Sequence, residues 1–195
     1  MPDIQQLIDL IRLGREERVL EYKESAPWDS IKRKVIRTAL GMANCRDGGT
    51  MIIGVSERGD RFVPEGMAEE HSNTYDADQI HAAINRHADP YVRVELHRVE
   101  MEGKAFLAII VHEFDEVPVV CKKDGVDLRE GAVYTRSYRM PETCEVKSQT
   151  EMREILDLAT DKALRRFMRR VNAVGARIGE VESDAQKFER QLAGL

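Results

Sequence analysis

Two stretches decide the fold: REERVLEYKES, residues 15–25, and NCRDGGTMIIGVSERG, residues 44–59. Val19, Leu20 and Tyr22 flank Glu21 and Lys23, so residues 19–23 read as a strand rich in β-forming side chains. Alternation along a strand aims Glu21 and Lys23 at one face. Glu16 stands five residues before Glu21, at the end of a preceding helix or in the turn after it. A second strand, residues 51–55, follows Gly48-Gly49 and delivers Glu57 just past its end. With these two strands as neighbours, three carboxylates and one ammonium converge.

Such a constellation has a chemistry. Clustered carboxylates hold Mg²⁺ or Mn²⁺ through hard oxygen ligands. The metal polarises a phosphoryl oxygen and activates a bound water, and a lysine beside it steadies developing negative charge. The other reading of the same residues is a solvated edge strand whose acids and lysine pair with one another.

Outward from this centre, the 195-residue chain has room for one full-size domain and an extension. It carries 33% charged and 42% hydrophobic residues, the balance of a soluble globular protein. No apolar run approaches the ~20 residues of a membrane span, and MPDIQQLIDL lacks a basic signal-peptide start. Cys45, Cys121 and Cys144 lie far apart, which suggests reduced thiols in a cytoplasm and neither a disulfide frame nor a zinc site. The five histidines show no shared ligand spacing, and neither a Walker A pattern nor G-x-G-x-x-G occurs, so no nucleotide cofactor is expected. The net charge is −5. Residues 160–195 are basic, with eight basic against five acidic residues, which leaves an acidic body whose contact with nucleic acid must come from local patches.

Residues 4–13 form a short amphipathic helix with Asp3 as N-cap and Gly14 at its end. Ser30 caps a helix over residues 31–45, whose apolar stripe suits burial on a sheet. The other face of that helix shows Lys32, Arg33, Lys34 and Arg37, which is either a solvated face or a phosphate-contacting one. A polar loop follows residue 55, then a helix opened by Asp76 or Asp78 and stopped by Pro90. Residues 92–101 and 105–112 form a hairpin turned at Gly103, and residues 117–122 and 132–137 a second pair of strands. The fold class is α+β: a mixed sheet with packed helices over residues 1–149.

From about residue 150 the pattern changes. Leu164, Val171, Ile178, Ala185 and Leu192 recur every seven residues, with Phe167, Val174, Val181 and Phe188 three after the first four. That is the seam of a coiled coil, so residues 150–195 form a helical oligomerisation tail, most simply of a homodimer. Gly175 and Gly179 weaken it. Arg170 and Arg177 near one end and Glu182, Asp184 and Glu189 near the other favour antiparallel pairing. The alternative is a helix folded back on its own domain.

These residues resemble the Schlafen AlbA-type domain. Its pattern is an acidic residue, roughly V-E-F-K, a helix ending A-F-A-N-T-x-G-G, an apolar strand and G-V-D-D. Here these stand as Glu16, VLEYK, GMANCRDGG and MIIGVSE, with a later YTRS segment. The resemblance covers about the first 150 residues and implies a nucleic-acid-binding protein. Members with ribonuclease activity cut structured RNA such as tRNA with three carboxylates and a divalent metal. Carried over, those are Glu16, Glu21 and Glu57, with Lys23 beside them and Mg²⁺ or Mn²⁺ as the metal. Lys32, Arg33, Lys34 and Arg37 would position the backbone, with RNA favoured over DNA. Glu57 stands where active members have aspartate, Ser56 replaces the other acid, and the Cys/His zinc motif of animal Schlafens is not visible. Animal members carry two such lobes, which a homodimer of this single lobe could rebuild. The expectation is a cytoplasmic Schlafen-like protein that binds nucleic acid, with metal-dependent endoribonuclease activity as a further reading left open; the alternative is a non-catalytic DNA-binding regulator or a subunit that assembles with a separate protein partner.

Overall fold

Asp3 starts the first helix, α1 (Ile4–Arg12), with a capping box: its carboxylate accepts the N–H of Gln5 at 3.2 Å and the Gln6 side chain accepts its own N–H at 3.2 Å. The computed structural model describes residues 3–180. In chain order α1 is followed by β1 (Leu20–Lys23), α2 (Trp28–Ala43), β2 (Gly49–Ile53), β3 (Val55–Arg58), β4 (Arg61–Pro64), α3 (Glu69–Ser72) and α4 (Ala77–Asn85). Then come β5 (Ala88–Asp89), β6 (Val94–Met101), β7 (Lys104–Val111), β8 (Val120–Cys121), β9 (Tyr134–Arg136), β10 (Thr143–Glu145) and α5 (Gln149–Glu180). The class is α+β, as the sequence predicts.

The central sheet has the order β1-β2-β7-β6, with β1 and β2 parallel and the other pairs antiparallel. Strand alternation divides its side chains between two cores. Met51, Ile53, Leu107, Ile109 and Val111 pack under α2 and α4, against Val35, Ala39, Ile80 and Ile84. Leu20, Tyr22, Ile52 and Phe106 point the other way and receive Leu7 and Ile11 of α1. Glu21 and Lys23 therefore lie on the α2 face of edge strand β1, at Met51 and Ile53 in register.

The Gly-Gly turn is dictated by space. Gly48 has φ +73°, and a Cβ there would sit 2.0 Å from the Val111 carbonyl oxygen. Asn44, ahead of this turn, is buried. Its amide nitrogen donates to the carbonyls of Val119 (2.8 Å) and Tyr134 (2.9 Å), and its oxygen accepts the Val119 N–H at 2.7 Å. One side chain thus ties the end of α2 to two distant segments. At Gly41, a Cβ would meet Thr143 at 2.7 Å, so this glycine lets α2 lie close on the β9–β10 pair.

Four local expectations are corrected. Helix α2 begins at Trp28 with Pro27 as N-cap, not at Ser30, since proline's fixed φ suits a helix entry. The segment after residue 55, read as a loop, is the β3–β4 hairpin, turned at Gly59 with φ +61°. The strand read through residue 55 breaks at Gly54, whose φ of +110° starts β3 in a new direction. The strands near residues 120 and 134 touch at a Val120–Val133 bridge and through the Cys121 backbone, which donates to Ala132 O and accepts from Gly131 N, but their ladders run elsewhere: β8 pairs with β5 and β9 with β10.

Helix α5 is fastened at its root. Ile155 and Leu158 enter the core, and Asp161 meets Arg46 at 2.8 Å while Lys162 meets Glu113 at 2.6 Å. Further along, Leu164, Phe167, Val171 and Val174 are exposed, Phe167 to 60%. Val181, Ala185, Phe188 and Leu192 of the heptad seam lie outside the described residues. Among the described residues no helix is long and apolar enough to cross a membrane.

Replacing Asn44 with Ala leaves the Val119 N–H and two carbonyls without partners in the core, and a buried unpaired group costs about 1–3 kcal/mol. Asn44→Ala is expected to lower unfolding stability by about 3 kcal/mol in a denaturant titration. A change below 0.5 kcal/mol would remove the assigned role.

Candidate functional site

A cleft of about 490 Å³ opens between β1, α2 and the β9–β10 pair. Its floor is Glu21, 7% exposed, and its side wall is Arg136, 1% exposed. Burying a carboxylate costs several kcal/mol unless it is paired and hydrogen-bonded, and here both oxygens are served. One oxygen takes the Lys23 ammonium and the other the Arg136 guanidinium, while the Thr38 hydroxyl of α2 lies 3.2 Å from each. The remaining Arg136 donors are also placed: Nη2 donates to Pro141 O at 2.7 Å, Nη1 to Thr143 Oγ1 at 3.1 Å and Nε to Arg18 O at 2.8 Å.

Arg18 returns the last bond, donating from Nε to Arg136 O at 2.9 Å. Its other nitrogens grip both oxygens of Glu154 in α5, at 2.6 and 2.7 Å, with the guanidinium 3.7 Å over the Tyr138 ring. The cleft floor and the root of α5 therefore belong to one hydrogen-bonded network.

Glu16 lines the same cleft from the turn after α1. Burial pushes its carboxyl above the ordinary value, the Tyr22 N–H that it accepts at 2.8 Å opposes that shift, and the Glu21 charge adds to it. Glu57 is elsewhere. It lies on the exposed β3–β4 hairpin, opposite Phe62, and is not among the residues lining the cleft. The Gly54 turn explains the difference, because it redirects the chain before Glu57 is reached. Among the described residues no three His, Cys, Asp or Glu side chains come together as a metal site. With Glu21 already held by two cations, the carboxylates present do not fit a divalent metal.

The cations of α2 are arranged differently. Arg33, Lys34 and Arg37 line the cleft and, among the described residues, make no ion pair. Lys32 is turned to Asp29 at 2.7 Å. Arg37 stands 5.8 Å over the Tyr134 ring, and its buried Nε has no hydrogen-bond partner. It also lines a second depression of about 480 Å³ with Arg129 and Lys147, which shares Asp127, Glu142 and Thr143 with the first. The sequence singles out the four cations of α2 but not Arg136 or Arg18. The YTRS segment carries Arg136, and its signal is an arginine among β-forming residues.

A family model described as Schlafen, AlbA_2 matches residues 16–145. The crystal structure of the DIP2311 protein from Corynebacterium diphtheriae has a similar fold, with a TM-score of 0.50 and 19% identity; the match covers 77% of this chain and 27% of that one. The solution structure of the N-terminal domain of an ATP-dependent DNA helicase RecG-related protein from Nitrosomonas europaea matches with a TM-score of 0.46 and 22% identity, over 76% of this chain and 97% of that one. No curated protein matches.

The buried clamp predicts how two glutamates separate. Glu21→Gln leaves Arg136 buried without its counter-charge and is expected to cost about 3 kcal/mol or more. Glu57→Gln on the exposed hairpin is expected to stay within about 0.5 kcal/mol. Equal, small effects in chemical denaturation would mean that Glu21 has no structural role.

Proposed function

The chain belongs to the Schlafen AlbA_2 family, and from that membership and the cleft we propose that it binds nucleic acid through phosphates laid along α2. The observation that carries this reading is the set of unpaired cations, Arg33, Lys34 and Arg37, converging on one cleft of an acidic protein. Phosphate oxygens supply the acceptors that these guanidinium and ammonium groups lack, and each contact releases counterions from the polymer. Glu21, Lys23 and Arg136 hold the cleft open as a rigid floor. Glu16 repels the backbone until it takes up a proton, so binding strengthens as pH falls toward the carboxylate range.

Metal-dependent cleavage of structured RNA has the shared cleft of Glu16, Glu21 and Lys23 in its favour. The ion-paired state of Glu21 and the remote place of Glu57 favour binding without cleavage, as a regulator or an assembly subunit. One experiment separates the two. The protein is mixed with tRNA and Mn²⁺, with and without EDTA, and both binding and chain length are followed. Binding with intact RNA in both lanes is the expected result; EDTA-sensitive fragments would establish the nuclease instead. Changing Arg33, Lys34 and Arg37 together to Ala is expected to lower the slope of log K against log salt by about 3, about 1 per lost phosphate contact. An unaltered slope would return α2 to a solvated face.

The tail we infer to be a homodimer contact. Leu164, Phe167, Val171 and Val174 are exposed on α5 while its root is fixed to the domain, and their heptad spacing continues in the sequence to Leu192. Light scattering at tens of micromolar is expected to give a dimer for the full chain and a monomer for a chain ending at residue 163. A monomeric full chain would sink the contact.

A further inference from the structure

The cleft is not the only depression that α2 borders. On its other flank, between α2 and α4, lies a groove of about 420 Å³. Its lining is largely apolar, with Trp28, Ile36, Ala83 and Val126, and it includes Arg33, Arg86 and Lys32, the last paired with Asp29. Arg33 lines both the groove and the cleft, so its side chain stands between the two. Arg86 follows the last residue of α4 and, like Arg33, makes no ion pair among the described residues.

Val126 is unusual for its position. It stands at the tip of a tight turn in which Gly125 and Leu128 exchange backbone hydrogen bonds of 3.0 and 3.2 Å, and it is 52% exposed. Asp127, the next residue, lines the cleft. One turn therefore borders both depressions and presents an apolar side chain to the groove.

We propose that this groove holds the base of an unpaired nucleotide whose flanking phosphates lie on Arg33 and Arg86. A largely apolar slot with two unpaired cations complements a flat, uncharged base on a charged backbone, and its volume lies in the range of ~300–1,000 Å³ that takes small organic ligands. A base within a duplex is stacked and paired and cannot enter, so the groove selects single-stranded segments, overhangs or bulges. This deepens the reading of the cleft as a nucleic-acid site and rests on it.

The test uses the full chain with a single-stranded oligonucleotide that carries one 2-aminopurine, and with the blunt duplex of the same sequence. Wild-type protein is expected to bind the single strand about tenfold more tightly than the duplex, as one well-held base contributes, with altered 2-aminopurine fluorescence. Ala82→Phe fills the groove from an exposed position of α4 without a change of charge, and Val126→Ser removes its apolar side wall. Both are expected to lose the preference and the fluorescence change while duplex affinity stays within about twofold. Equal binding of strand and duplex by the wild type, or an unchanged preference in both variants, overturns the base pocket and leaves the cleft reading standing. Binding of neither nucleic acid overturns both.

Discussion

The buried carboxylate of Glu21 is the constraint on which the cleft depends. A charge held between a sheet and a helix must be answered at short range, and here it is answered from three directions: Lys23 on the same strand, Thr38 on α2 and Arg136 on β9. β9 is distant in sequence from β1 and α2, so the ion cluster fixes where β9 and its partner β10 sit against the main sheet. The Gly41 contact with Thr143 has the same effect from the helix side, because any Cβ there would push β10 away. Charge and close packing specify one placement.

That placement changes the chemical meaning of the glutamate. In the sequence, Glu21 beside Lys23 reads as a metal ligand with a helper. In the folded chain its lone pairs are already engaged, and two neighbouring positive charges oppose a dication. Arg33, Lys34 and Arg37 of α2, by contrast, make no ion pair among the described residues. An acidic protein thus gathers three unpaired basic groups in one cleft, beside the carboxylates of Glu16, Asp127 and Glu142, which is how a local anion site survives a negative net charge.

What was legible in the sequence follows the range of the interactions. The α+β class, α1 with its Asp3 cap, the shared face of Glu21 and Lys23 and the β6–β7 hairpin come from local periodicity and turn chemistry, and each is present. The convergence of Glu57 on Glu21 was not legible, because a single glycine decides it: the φ of +110° at Gly54 bends the chain out of β2, and a strand pattern does not reveal such a bend. Arg136 was hidden for the opposite reason. Its partners lie 115 residues away at Glu21 and 118 away at Arg18, and no periodicity reports so distant a contact.

The same network limits how the tail can behave. Glu154 is in the second turn of α5 and holds Arg18 through two hydrogen bonds, and Arg18 and Arg136 each donate Nε to the other's carbonyl at the cleft wall. With Ile155 and Leu158 in the core beside this contact, the helix leaves the domain in one direction, not as a free arm. A rotation of its root would have to break the Arg18–Glu154 pair and disturb the residue that balances Glu21. The exposed stripe of Leu164, Phe167, Val171 and Val174 therefore starts from a root that is fixed to the cleft wall.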